Sequence, residues 1–174
     1  MANHVQSVSN ELHVSSRLSN RSVNCALVEK ITRSFLVEIL KIDAFYIEIS
    51  IVSDSEITRL NEKFLGHIGS TDVLAFDYRE VPRKRPIHGE VFVCSDEAAI
   101  QAVRFKTTWQ SELLRYVIHG ILHLSDYDDH DPARRRQMKR QENQALSKLA
   151  RQFDFTLLDM RRSGLMPKNR GKTK

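Results

Sequence analysis

The residues best suited to chemistry in this 174-residue chain are His119 and His123, followed within a few positions by Asp126, Asp128, Asp129 and His130. On a helix, side chains at i and i+4 share one face about one turn apart. The two imidazoles can therefore point at one ion. The acidic stretch directly after them offers a third ligand from Asp126, Asp128, Asp129 or His130. Two histidines, one more N or O ligand and an open position make a catalytic Zn²⁺ site. Water bound there has a pKa near ~7 and is a usable nucleophile at neutral pH. In His-Glu-x-x-His peptide hydrolases the residue after the first His is the general base. Here that residue is Gly120, so that mechanism lacks its base.

The pair needs a helix, and the spacing predicts one from about Thr108 to Leu124. At roughly 100° per residue, Glu112 and Tyr116 share the histidine stripe, while Leu113, Leu114, Val117, Ile118, Ile121 and Leu122 form the core-facing side. Asp131-Pro132 places a capping acid before an N1 proline and predicts a following helix to about Phe153. Upstream, helical periodicity covers Ser22 to Leu40, and Phe45 to Val52 reads as a strand. Ser53-Asp54-Ser55-Glu56 is a capping box for a helix running to about Phe64 and ended by Gly66. Asp72 to Tyr78 and Glu90 to Cys94 read as strands, antiparallel because the Val81–His88 loop has no room for a crossover helix. Glu11 to Val14 suggests a short edge strand, and Ser95-Asp96 a cap for a helix from Glu97 to Phe105. Strands in the first half and helices in the second predict an α+β domain.

His119-Gly-Ile-Leu-His123-Leu followed by Tyr127 resembles the signature of the YbeY family of rRNA maturation factors, His-Gly-x-Leu-His-Leu-x-Gly-Tyr-Asp-His. Leu60-Asn61 to Phe64, Thr71-Asp72-Val73-Leu74-Ala75-Phe76, His88-Gly89-Glu90-Val91-Phe92-Val93-Cys94 and Glu112-Leu113 resemble further family segments in the same order, from Phe45 to Leu149. The resemblance implies a zincin-like metal-dependent hydrolase with a small mixed sheet packed by helices. It implies a single-strand-specific endoribonuclease acting in 16S rRNA 3′-end maturation and ribosome quality control, with one zinc ion held by three side chains. Its partners would be single-stranded RNA, ribosomal RNA and the ribosome. Read through Tyr127, the family's third ligand falls on Asp129, giving His119, His123 and Asp129 as the metal set, with His130 one residue beyond. Two further positions depart from the family: Asp126 stands for a Gly, and Leu65 for an Arg that would clamp a phosphate. His67 lies two residues on. No general base is identified. The rival readings are a ribosome-assembly factor with structural zinc and a metallopeptidase.

Composition fits one soluble domain: 41% hydrophobic and 28% charged residues. No apolar run reaches the roughly 18 residues of a membrane helix, and the N-terminus lacks a secretory pattern. Cys25 and Cys94 stand in no metal or redox spacing, which suits a reducing cytoplasm. The net charge is +5. Arg161 to Lys174 holds six cations and no acid; without it the chain has 21 basic against 22 acidic residues, a net of −1. The expected division is a domain over 1–160 and a basic tail over 161–174. Deleting that tail is expected to weaken RNA or ribosome binding, with a salt slope reduced by up to roughly 0.7 per lost contact. Arg83-Lys84-Arg85 and Arg134-Arg135-Arg136 with Lys139-Arg140 could track an RNA backbone. Glu142 reads as surface pairing with Arg135, Lys139 or Lys148, and Trp109 as packing for the helix start.

Overall fold

The computed structural model describes residues 10–81 and 86–161. Arg83-Lys84-Arg85 and all of the basic tail except Arg161 lie outside the described residues. The element order is β1 (Asn10–Ser16), α1 (Cys25–Ser34), β2 (Phe45–Val52), α2 (Asp54–Leu65), β3 (Val73–Asp77), β4 (Ile87–Cys94), α3 (Ser95–Phe105), α4 (Trp109–Leu124) and α5 (Pro132–Ala150). The sheet order is β1-β2-β4-β3, with β1 and β4 parallel to β2 and β3 antiparallel to β4. It is the small mixed sheet packed by helices, with β1 on an edge.

Strand alternation divides the sheet into two faces. Leu12, Val14, Ile47, Ile49, Val91 and Val93 join the main core with residues of α1, α4 and α5. Val52, Leu74, Phe92 and Cys94 face the other way and meet Ile57 of α2 in a smaller cluster. Burial of Leu113, Leu114, Val117, Ile118, Ile121 and Leu122 fixes α4 in the core; on the histidine stripe Glu112 and Tyr116 are buried too, and only His119 and His123 stay partly exposed.

Local chemistry sets the boundaries, with four differences from expectation. β4 begins at Ile87, inside the segment expected as a loop, because Ile87 and His88 pair with Phe45 and Tyr46 of β2. The helix over Cys25–Ser34 finishes as a π-helical turn, Phe35–Ile39. Ser53 caps α2 by accepting from the Glu56 amide, and Gly66 ends it at φ 68. The Glu56 carboxylate, however, accepts from Arg17 at 2.8 Å, so the Ser53 arm of the capping box forms while Glu56 turns to Arg17. α3 is capped not by Ser95-Asp96 but by the Cys94 thiol, which accepts from the Glu97 amide at 3.4 Å. Asp96 accepts from the Asp54 amide and so serves α2 instead. Trp109 packs on the core with the Arg21 guanidinium 4.6 Å from its ring centre.

Gly120 brings α4 tightly against the sheet. A β-carbon there would lie 2.4 Å from Val91 Cγ1 and 3.2 Å from Val73 Cγ2. Gly120→Ala is expected to lower stability by about 1–2 kcal/mol, the overpacking cost exceeding the helix-propensity gain of about 1 kcal/mol. Urea unfolding checks this; an unchanged midpoint would mean that α4 can lift off the sheet freely.

Candidate metal centre

α4 ends in a Schellman motif. The Asp126 amide donates to the His123 carbonyl at 3.1 Å and the Tyr127 amide to the Leu122 carbonyl at 3.0 Å. The position between them needs the left-handed conformation that glycine adopts most readily. Asp126 occupies it at φ 69. Its carboxylate is held by Arg79 at 3.1 Å, and Arg79 also donates to the Leu124 carbonyl at 2.8 Å. Arg79 is in turn paired with Asp77 at the end of β3. Hydrogen bonding from Arg79 depresses the Asp77 pKa, and the guanidinium is raised by the same bond. The sheet edge is thus tied to the turn after the histidines, and the aspartate that replaces the family's glycine is given a partner.

That turn sorts the candidate ligands. Asp126 goes to Arg79. Asp128 is paired with Arg134 of α5. His130 is exposed, and its amide donates to Asp128. Asp129 alone among the four turns toward the histidines: one carboxylate oxygen lies 4.0 Å from His119 Nε2 and the other 3.9 Å from His123 Nε2. His119, His123 and Asp129 each offer an atom within 4.8 Å of the others and could hold a metal ion.

The donor set fits such an ion. His119 Nδ1 lies 2.7 Å from Glu142 Oε1, and His123 Nδ1 lies 3.2 Å from the Tyr127 carbonyl. Both partners accept, so each imidazole carries its proton on Nδ1 and turns a lone pair outward from Nε2. The two Nε2 atoms lie 2.9 Å apart with the Asp129 carboxylate beside them. Three lone-pair donors facing one another repel unless a cation sits among them. Two nitrogens on a tetrahedral ion are separated by roughly 3.3 Å for bonds of about 2.0 Å, close to the spacing here. The proton affinities show the same crowding. Burial lowers the His119 pKa, but the hydrogen bond and charge of Glu142, with the Asp72 and Asp129 carboxylates, together raise the group overall. Burial and the charge of His119 both lower His123.

Glu142 corrects the surface-pairing expectation. It is buried on α5 and supports the ring of His119. A carboxylate behind a ligating histidine fixes its tautomer and orientation. Arg115 joins the support, contacting Glu112 at 3.2 Å, Glu142 at 3.4 Å and Asn143 at 2.7 Å. Glu112 is buried and also accepts from Thr107 at 2.7 Å. Leu65 is exposed at the end of α2. The cations that line the cavity beside His119 and Asp129 are instead Arg115 of α4 and Arg135 and Lys139 of α5. That cavity has a volume of about 480 Å³.

The family described as Endoribonuclease YbeY matches residues 13–150 of this chain. A relative from Chlorobium phaeovibrioides named Endoribonuclease YbeY is 36% identical over 140 residues, covering 78% of this chain and 87% of the relative. One of the same name from Salinibacter ruber is 38% identical over 108 residues, 59% of this chain and 69% of that one. The solution structure of TM1509 from Thermotoga maritima superposes with a TM-score of 0.60 at 26% identity, covering 94% of this chain and 100% of that one.

Proposed function

The chain belongs to the YbeY endoribonuclease family, and from that premise we propose that it is a zinc-dependent endoribonuclease that cuts single-stranded RNA. Its proposed role is 16S rRNA 3′-end maturation and ribosome quality control, in the cytoplasm and on the ribosome. The observation that carries the catalytic reading is the convergence of His119 Nε2, His123 Nε2 and the Asp129 carboxylate beside a cavity whose lining includes the cations Arg115, Arg135 and Lys139. One zinc ion per chain held by these three residues suits the N, N, O donor set.

A bound zinc ion supplies Lewis acidity toward a phosphate oxygen and a nucleophile usable at neutral pH. The protein supplies the rest. Glu142 and the Tyr127 carbonyl hold the two imidazoles in one tautomer. Arg135 and Lys139 draw the RNA backbone into the cavity and neutralise its phosphates. Gly120 leaves the peptide-hydrolase base position without a carboxylate, which favours phosphodiester over peptide chemistry.

The test separates the ligand candidates. Asp129→Ala is expected to lose zinc and RNA cleavage together, while His130→Ala keeps most of both. Zinc per chain and cleavage of single-stranded against duplex RNA, with chelation and zinc add-back, check this. If His130→Ala alone empties the site, the ligand set is wrong. If zinc is present, ribosome binding is intact and no RNA is cut, zinc serves a structural role in an assembly factor.

A further inference from the structure

The cavity beside His119 has an aromatic rim that neither the core nor the metal group uses. Phe105 is the last residue of α3 and is 58% exposed. It belongs to neither apolar cluster, yet it lines the cavity that His119, Asp129 and Arg135 share. Lys106 follows in the left-handed conformation at φ 54, which ends the helix with the ring at its tip. The Arg104 guanidinium lies 5.5 Å from the ring centre. The charges lining the cavity are of both signs. Asp72, Glu97, Glu112, Asp129 and Glu142 share the lining with the cations Arg115, Arg135 and Lys139, the last two on α5. Glu97 is bonded to the Gln101 amide at 2.6 Å. Arg135 and Lys139 of α5 offer the cavity's cations to a nucleic-acid backbone, and the exposed Phe105 ring on the same cavity offers its face to a base.

We propose that Phe105 is the stacking platform for an unpaired base of the RNA bound at the cleavage site, with the flanking phosphates on Arg135 and Lys139. This rests on the ribonuclease reading and deepens it. In a duplex the faces of each base are covered by its neighbours, whereas an unpaired base can lay one face on an aromatic ring. The platform therefore selects single strands, and it does so with little regard to sequence because every base has a π-face. The cavity volume of about 480 Å³ falls within the range of sites for small molecules.

The experiment compares zinc-loaded wild type with Phe105→Ala, Phe105→Leu and Phe105→Tyr. Binding of a short single-stranded oligoribonucleotide and of a duplex is followed by stopped-flow anisotropy before turnover. A 2-aminopurine placed in turn along the single strand reports stacking. Phe105→Ala is expected to weaken single-strand binding by about 5- to 150-fold and to leave duplex binding unchanged. Phe105→Tyr keeps both the affinity and the fluorescence quenching, and Phe105→Leu loses the quenching. Equal affinity for wild type and Phe105→Ala, or an equal drop on duplex, overturns the platform. So does quenching that survives in Phe105→Leu, the variant that decides the matter if Phe105→Ala loses zinc or melts early. A wild type that cuts no RNA overturns the ribonuclease reading itself, whereas a wild type that cuts RNA with a KM indifferent to Phe105 overturns only the stacking.

Discussion

Alanine at His119 or at His123 is expected to leave a folded protein that retains no stoichiometric zinc and does not cut RNA. Both imidazoles are partly exposed and stand off the core, so truncation removes little packing. Either change reduces three converging donors to two. The loss should exceed the roughly 10–100-fold that changes behind the ligands cost. Elemental analysis after dialysis gives zinc per chain, and thermal melts confirm the fold; full zinc in the double variant would refute the site. The same pair predicts a pH dependence. Zinc competes with protons for Nε2. Against burial, the carboxylates of Glu142, Asp72 and Asp129 together raise the proton affinity of His119 above its ordinary value. At limiting zinc, occupancy should therefore begin to fall at a pH above the ordinary histidine range and keep falling as the solution is acidified. Zinc binding should release protons there, measurable by calorimetry in buffers of differing ionisation enthalpy. An apparent zinc affinity unchanged down to pH ~5 would exclude histidine ligands, whose reference pKa is near 6.5.

Glu142→Ala should weaken zinc binding by roughly 10–100-fold, although Glu142 is not itself one of the three ligands. Its carboxylate meets His119 Nδ1 at 2.7 Å and Arg115 at 3.4 Å. Without it the His119 ring can rotate or change tautomer, and a buried donor loses its acceptor at a cost of about 1–3 kcal/mol. Glu142→Gln keeps a carbonyl for the Nδ1 proton and should fall between alanine and wild type. Competition with a metal-sensitive dye gives the affinities, and chemical unfolding the stability. Wild-type affinity in Glu142→Ala would mean that His119 is oriented by its packing alone.

What was legible in the sequence depended on how local the cause was. Phe45 to Val52 was readable from one run of β-branched and aromatic residues, and the end of α2 from Gly66. The histidine stripe followed from helical spacing. The Cys94 cap was missed because a thiol is a weak acceptor, and Ser95 and Asp96 stand next to it with better ones. Glu142 was missed although its position carried a signal. Met138, Ala145, Leu146 and Leu149 lie four before and three, four and seven after it, all buried. A carboxylate inside an apolar stripe calls for a partner on a neighbouring element, a stronger clue than the lysines and arginines around it. The pairing of Asp126 with Arg79 spans 47 positions and three elements, β4, α3 and α4. Nothing local announces it.

The wedge at Gly120 limits what this fold can become. His-Gly-x-x-His and His-Glu-x-x-His differ by one residue on paper, which makes a peptide hydrolase look one mutation away. In three dimensions a glutamate at 120 begins 2.4 Å from Val91 Cγ1, and its carboxylate would enter the apolar layer between helix and strand unpaired. The first step of any such conversion therefore belongs on β4, where Val91 must shrink before the helix can accept a new side chain. Until it does, packing between α4 and β4 opposes a carboxylate at this position.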